Sequence, residues 1–220
     1  MKLLTSLLRP RAMALAAAAV AAITCGTASA QAINFIGSTS GCFDAACTPA
    51  LGGLSYTNST FNVTTTAGFA SIGDAPNTPN FNNLGSFSLN GSAFSYGSHT
   101  FNLTVTFTAP PGTTPGSWLF AGPMTGSVSG VASGTDNGGI FVDFDGAHHF
   151  TFGSGATSGS FDFFVNPVSL TAPKLGDPPH TIALSGSLTA QVTSVPEPET
   201  YALFLAGLGA VGFMARRRKS

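Results

Sequence analysis

Apolar and polar residues alternate along several short stretches between residues 31 and 195. In residues 101–108 every second position is Phe, Leu or Val, and the positions between are Asn or Thr. In residues 181–192 one face carries Ile182, Leu184, Leu188, Ala190 and Val192. Weaker alternation occupies residues 54–63, 84–89, 126–131, 139–144 and 160–165. Because a period of two closed by Gly, Pro, Asn or Asp is typical of half-buried strands, the pattern predicts a mainly β domain. We expect an antiparallel β-sandwich of jelly-roll type, with a closed barrel as the alternative.

Phenylalanine is expected to supply much of the core, since 17 of the 19 Phe lie between residues 31 and 195. Phe163 and Phe164 are adjacent in a predicted strand and must point to opposite faces, so one of them is expected to cover a loop or an interface. With one Trp and three Tyr, the sequence does not indicate a row of exposed aromatic rings for stacking on sugars.

Charge is scarce and unevenly placed. Charged residues make up 8% of the chain, against about 25% in an ordinary soluble domain. Between residues 31 and 195, Lys174 is the only Lys or Arg and stands against seven Asp. A nucleic-acid surface needs clustered basic side chains to replace counterions, so this composition excludes nucleic-acid binding.

The first 30 residues are predicted to be a secretory signal peptide that forms a signal helix. Lys2, Arg9 and Arg11 precede a short apolar run over residues 12–23. Ala28 and Ala30 are the small residues that signal peptidase accepts, which places the cleavage before Gln31. The apolar run is too short to cross a bilayer, which needs about 20 residues. A β domain over residues 31–194 would therefore be exported.

Residues 195–220 are predicted to be a C-terminal sorting or anchor segment. Pro196, Glu197 and Pro198 precede a run of 15 mostly apolar residues from Tyr201 to Ala215. Its basic end consists of Arg216, Arg217, Arg218 and Lys219. The run would rise about 22 Å as a helix, so we expect a short transmembrane helix that requires local thinning of the bilayer. The basic end would stay in the cytoplasm and hold the β domain outside the inner membrane.

These three parts in this order resemble the PEP-CTERM sorting signal of Gram-negative bacteria. The resemblance implies recognition and removal of the tail by an exosortase, an integral-membrane cysteine enzyme. It also implies delivery to the cell surface or into the exopolysaccharide and biofilm matrix. The alternative is a plain membrane anchor, in which the tail stays attached.

The β domain is similar to the choice-of-anchor domains that often precede such tails. The similarity lies in residues 53–60, 84–89 and 101–107. It implies the β class and brings no active site with it.

Two cysteines are candidates for a disulfide, and three aspartates are candidates for metal binding. Cys42 and Cys47 lie five apart in a chain bound for an oxidising compartment, which predicts a disulfide across a short loop. Asp143 and Asp145 share one strand face, and Asp136 could return to them across a turn. Carboxylate oxygens are calcium ligands, so Ca²⁺ is the one cofactor that the sequence suggests, beside the alternative of a solvated strand face.

Catalytic residues are not predicted. A glycosidase needs two carboxyl groups at a set separation, and the domain contains Asp but neither Glu nor a substrate-orienting Arg. A Gly-x-Ser-x-Gly motif is missing as well. The sequence therefore predicts an exported surface or matrix protein with a structural or adhesive role. The alternatives are a Ca²⁺-dependent carbohydrate-binding module and a polysaccharide hydrolase.

Overall fold

The computed structural model describes residues 32–76, 80–133, 137–154, 157–194 and 198–217. Within these residues the chain forms fifteen β-strands and one α-helix. Their bounds are β1 (Asn34–Phe43), β2 (Ala50–Leu51), β3 (Leu54–Thr57), β4 (Thr60–Thr64), β5 (Phe69–Ile72), β6 (Ser86–Leu89), β7 (Phe94–Ser95), β8 (Thr100–Ala109), β9 (Ser117–Val128), β10 (Gly138–Val142), β11 (His148–Ser154), β12 (Thr157–Val165), β13 (Val168–Thr171), β14 (His180–Ala183), β15 (Gly186–Ser194) and α1 (Pro198–Arg217). The predicted signal helix and its cleavage residues Ala28, Ala30 and Gln31 lie outside the described residues.

All pairings between these strands are antiparallel, so the prediction of a mainly β, antiparallel protein is confirmed. The largest sheet has seven strands in the order β13-β10-β9-β8-β1-β4, and β7 pairs with β9 beside this path. Strand β8 covers the predicted run 101–108, with Phe101, Leu103, Val105 and Phe107 buried.

Two further sheets have four strands each, in the orders β11-β12-β15-β5 and β14-β6-β3-β2. The predicted strand over residues 181–192 is divided between them, because the chain changes sheets after β14. At this point the Leu184 N–H donates to the Gly85 carbonyl, and the Leu184 carbonyl accepts from the Leu84 N–H. The predicted inward face is still correct, since Leu184, Leu188 and Ala190 are buried.

Phenylalanine rings join the large sheet to both small sheets. Phe161 of β12 lies 4.8 Å from Phe35 of β1 and 4.9 Å from Phe107 of β8, measured between ring centroids. Phe87 of β6 lies 4.7 Å from Phe101 of β8. Twelve Phe side chains are buried among the described residues, which confirms their predicted place in the core. As strand alternation requires, Phe163 is buried and the adjacent Phe164 is half-buried on the opposite face.

Candidate functional site

The C-terminal segment leaves the β domain directly from its last strand. Strand β15 stays paired with β12 up to its final residue, where Ser194 lies opposite Thr157. Helix α1 then begins at Pro198, so three residues separate the sheet from the helix. Of the predicted sorting residues, Pro196 and Glu197 lie outside the described residues.

The helix is longer than the predicted span from Tyr201 to Ala215. It begins at Pro198 because the first helical position needs no backbone N–H, so a proline is accepted there. It ends after Arg216 and Arg217, which lie in the last turn, where positive charge complements the helix dipole. Arg218 and Lys219 lie outside the described residues.

The surface of α1 is apolar and exposed. Its exposed large side chains are Leu203, Phe204, Leu205, Leu208, Val211 and Met214. The predicted short transmembrane helix is nevertheless not supported, because none of the helices in the described ranges is long and apolar enough to cross a membrane. The physical reason is the short apolar run, which contains three Gly and is bounded by Glu199 and Arg216.

Of the residues predicted to bind calcium, Asp143 and Asp145 lie in the described part of the chain. Asp143 and Asp145 are both exposed after the end of β10, on either side of the buried Phe144. The Asp145 carboxylate lies 2.9 Å from Nε2 of His148, and Asp136 lies outside the described residues. In the part of the chain that the structure describes, no three His, Cys, Asp or Glu side chains are placed to hold a metal ion.

Three histidines are paired with carboxylates, which the sequence does not reveal. The pairs are His99 with Asp44 at 2.8 Å, His148 with Asp145 at 2.9 Å and His149 with Asp162 at 2.7 Å. The His148 ring also lies 4.6 Å from Trp118 and 4.8 Å from Phe120, measured between centroids. These contacts give the His148 imidazole a packing role beside the core.

The predicted disulfide is present between Cys42 and Cys47. Asp44 lies within its loop and binds the neighbouring strand. The Thr100 N–H donates to Oδ1 of Asp44 at 3.0 Å, and Nδ2 of Asn102 donates to the Asp44 carbonyl at 3.1 Å. The hydrogen bond from Thr100, followed by the contact with His99, holds the pKa of Asp44 below its ordinary value. The carboxylate therefore fixes the disulfide loop to β8.

Asp44→Asn is expected to lower the free energy of unfolding by about 1 kcal/mol at neutral pH, because a hydrogen bond to a charged group is weakened. Asn keeps the shape and tolerates the positive φ of 57° at this position. Because folding lowers the pKa of Asp44, its carboxylate stabilises the folded state at pH values above the unfolded-state pKa of about 3.9. This stabilisation is lost as the pH falls through the folded-state pKa of Asp44. Urea unfolding at a series of pH values measures it.

The matched control is Asp177→Asn, which changes an exposed turn carboxylate and should leave the free energy of unfolding unchanged at every pH. Should Asp44→Asn instead lower the free energy of unfolding equally at neutral pH and well below the ordinary pKa of Asp, that result would contradict a stabilising role for the Asp44 carboxylate.

A protein-family model for the PEP-CTERM protein-sorting motif matches residues 194–219. The match begins at the last residue of β15 and includes the tripeptide, α1 and the arginines. No curated protein and no solved structure matches the chain. The resemblance of the β domain to choice-of-anchor domains therefore stays a prediction. The match confirms the predicted sorting signal: the chain carries a PEP-CTERM protein-sorting motif at its C-terminal end, in residues 194–219.

Proposed function

We propose that the β domain is a structural or adhesive component of the cell surface or exopolysaccharide matrix, delivered there by exosortase sorting. The observation that carries the sorting step is the order of parts in residues 194–219, a PEP-CTERM motif that indicates an exported exosortase substrate. The outer surface of the β domain supports the structural or adhesive role.

Cleavage near the tripeptide would leave the β domain whole. Strand β15 is the last strand, and it ends at Ser194, before Pro196. The same cut would remove the exposed apolar residues of α1, which we propose associate with the inner membrane until processing. We also propose that the three sheets form a jelly-roll-like sandwich, since rings from the seven-stranded sheet contact rings from both four-stranded sheets.

The outer face of the seven-stranded sheet suits a passive matrix role. Beside Ile36, its neighbouring strands β1 and β8 carry hydroxyl and amide side chains there: Asn34, Ser38, Ser40, Asn102, Thr104, Thr106 and Thr108. These groups donate and accept hydrogen bonds without bringing charge. Such a face fits the hydroxyl groups of a polysaccharide, which supports adhesion to exopolysaccharide.

Glu197→Gln is expected to reduce removal of the tail by about tenfold or more, because recognition of a charged group contributes about 1.5–3 kcal/mol. The measurement is the intact mass of the protein recovered from the host. The unchanged protein should begin at Gln31 and end between Pro196 and Glu199, and should keep its tail in a strain without the exosortase.

Glu199→Gln is the matched control, since it removes the same charge two residues away, within α1. Removal of the tail from this variant should stay within about twofold of its removal from the unchanged protein. Persistence of the tail through Ser220 in the unchanged protein, with the exosortase present, would overturn the proposal.

A further inference from the structure

We propose that the end of the β domain from which the C-terminal segment leaves is a contact surface for phospholipid headgroups. We call this surface the tether end. It comprises the start of β1, the turn after β4, the loop between β8 and β9, the end of β11 with the start of β12, and the end of β15: residues 32–34, 64–68, 109–117, 151–154, 157–158 and 190–194. The inference rests on the proposed membrane association of α1.

Backbone contacts bring these segments together. The Thr65 N–H donates to the Ile33 carbonyl at 2.9 Å, and the Ala190 N–H donates to the Gly68 carbonyl at 2.6 Å. Thr114 and Thr151 exchange two backbone hydrogen bonds. The first described strand therefore begins, and the last one ends, at the same end of the domain.

The tether between this end and α1 is short. Ser194 is still paired with Thr157, and α1 begins at Pro198. Four residue steps span about 14 Å at full extension. A helix bound to a membrane through Leu203, Phe204 and Leu205 therefore holds the tether end close to the headgroups.

The charge distribution fits this orientation. The five segments contain no Asp, Glu, Lys, Arg or His. Asp162 borders this end, since it lies opposite Thr189 and its carboxylate is 2.7 Å from Nδ1 of His149, whereas Asp44 lies in the disulfide loop at the opposite end of β1 and β8. An anionic bilayer repels carboxylates at about 1 kcal/mol for each charge near its surface. An acidic domain would thus meet the membrane with its uncharged end.

Four exposed apolar residues of the described chain lie one or two positions beyond these segments. They are Ile36 (36% exposed), Phe69 (53%), Trp118 (38%) and Leu119 (54%). Apolar side chains beside small hydroxyl residues suit the headgroup region, because the membrane–water interface is apolar on its inner side and hydrated on its outer side.

The test uses the exported form, residues 31–220, with vesicles of phosphatidylethanolamine and phosphatidylglycerol. An environment-sensitive dye is attached to Thr66→Cys at the tether end or to Ser98→Cys in an exposed turn at the far end. The quencher is a headgroup-labelled lipid. We expect loss of emission from the dye at residue 66 and none from the dye at residue 98.

Charge variants test the same surface independently. Thr66→Asp and Ser117→Asp should each weaken binding to these vesicles by about fivefold, and should have little effect with phosphatidylcholine vesicles. Ser98→Asp is the matched control and should leave binding unchanged with both lipids. Thermal melting of each variant shows that the fold is kept.

The two proposals fail in different ways. A chain that does not float with vesicles at all contradicts the membrane association of α1, and the orientation with it. A chain that floats while both dyes are quenched equally, or while neither is quenched, overturns only the orientation.

Discussion

Phe161→Ala should lower the free energy of unfolding by about 4 kcal/mol. This loss is large, because the free energy of unfolding of a typical domain is about 5–15 kcal/mol. The Phe161 side chain is 1% exposed. Its ring centroid lies 4.8 Å from Phe35, 4.9 Å from Phe107 and 4.9 Å from Phe150. Truncation removes apolar area from the core and leaves a cavity, because rings on three strands cannot all collapse into it.

Urea unfolding of the exported form, followed through the fluorescence of the single Trp118, measures this loss. Phe141→Ala is the matched control, because Phe141 of β10 is 41% exposed on the outer face of its sheet. It should change the free energy of unfolding by about 0.5–1 kcal/mol. Equal losses in the two variants would mean that the rings do not join the sheets as described.

The sequence predicts the strands whose inward positions are all large and apolar. It does not predict those in which Gly or Thr occupies inward positions. Strand β8 alternates large apolar and polar side chains without interruption, so the sequence predicts it within one residue at each end. The run at 181–192 keeps one apolar face, yet it enters two sheets, because the change of sheet depends on backbone bonds with Leu84 and Gly85, about 100 residues away.

Strand β1 lies between β8 and β4 in the largest sheet, yet the hydrophobic pattern does not indicate it. Its inward positions are Phe35, Gly37, Thr39, Gly41 and Phe43. Glycine stands where an apolar side chain would be expected, because rings from other strands fill the space. A Cβ on Gly37 would lie 2.3 Å from Cζ of Phe61. Periodicity within one strand cannot show what its neighbours place against it.

The sorting segment could be predicted from the sequence, whereas the tether end could not. The sorting segment is predictable because its parts are contiguous in sequence, in a fixed order. The tether end depends on which strand ends the topology places together. Thr65 and Ile33 are 32 residues apart, and Ala190 bonds to Gly68 across 122 residues. No sequence motif indicates the pair of His99 and Asp44 either, because 55 residues separate them.

Gly41→Val should lower the free energy of unfolding by about 3 kcal/mol, because it overpacks the core. A Cβ on Gly41 would lie 2.4 Å from Cζ of Phe101 and 2.5 Å from Cε1 of Tyr56. The Tyr56 ring is held in place, since its hydroxyl contacts Thr39 and donates to the Leu84 carbonyl. Strand propensity favours Val over Gly by up to about 1 kcal/mol, so packing and propensity predict opposite signs.

Ser40→Val separates the two effects, because the neighbouring Ser40 side chain is exposed on the outer face of the same strand. It should leave the free energy of unfolding unchanged or raise it by a few tenths of a kcal/mol, about what propensity alone supplies. Urea unfolding of both variants gives the comparison. A Gly41→Val protein as stable as the Ser40→Val protein would show that the inward face of β1 has room for a side chain. The rings of Phe101 and Tyr56 would then not be what requires glycine there.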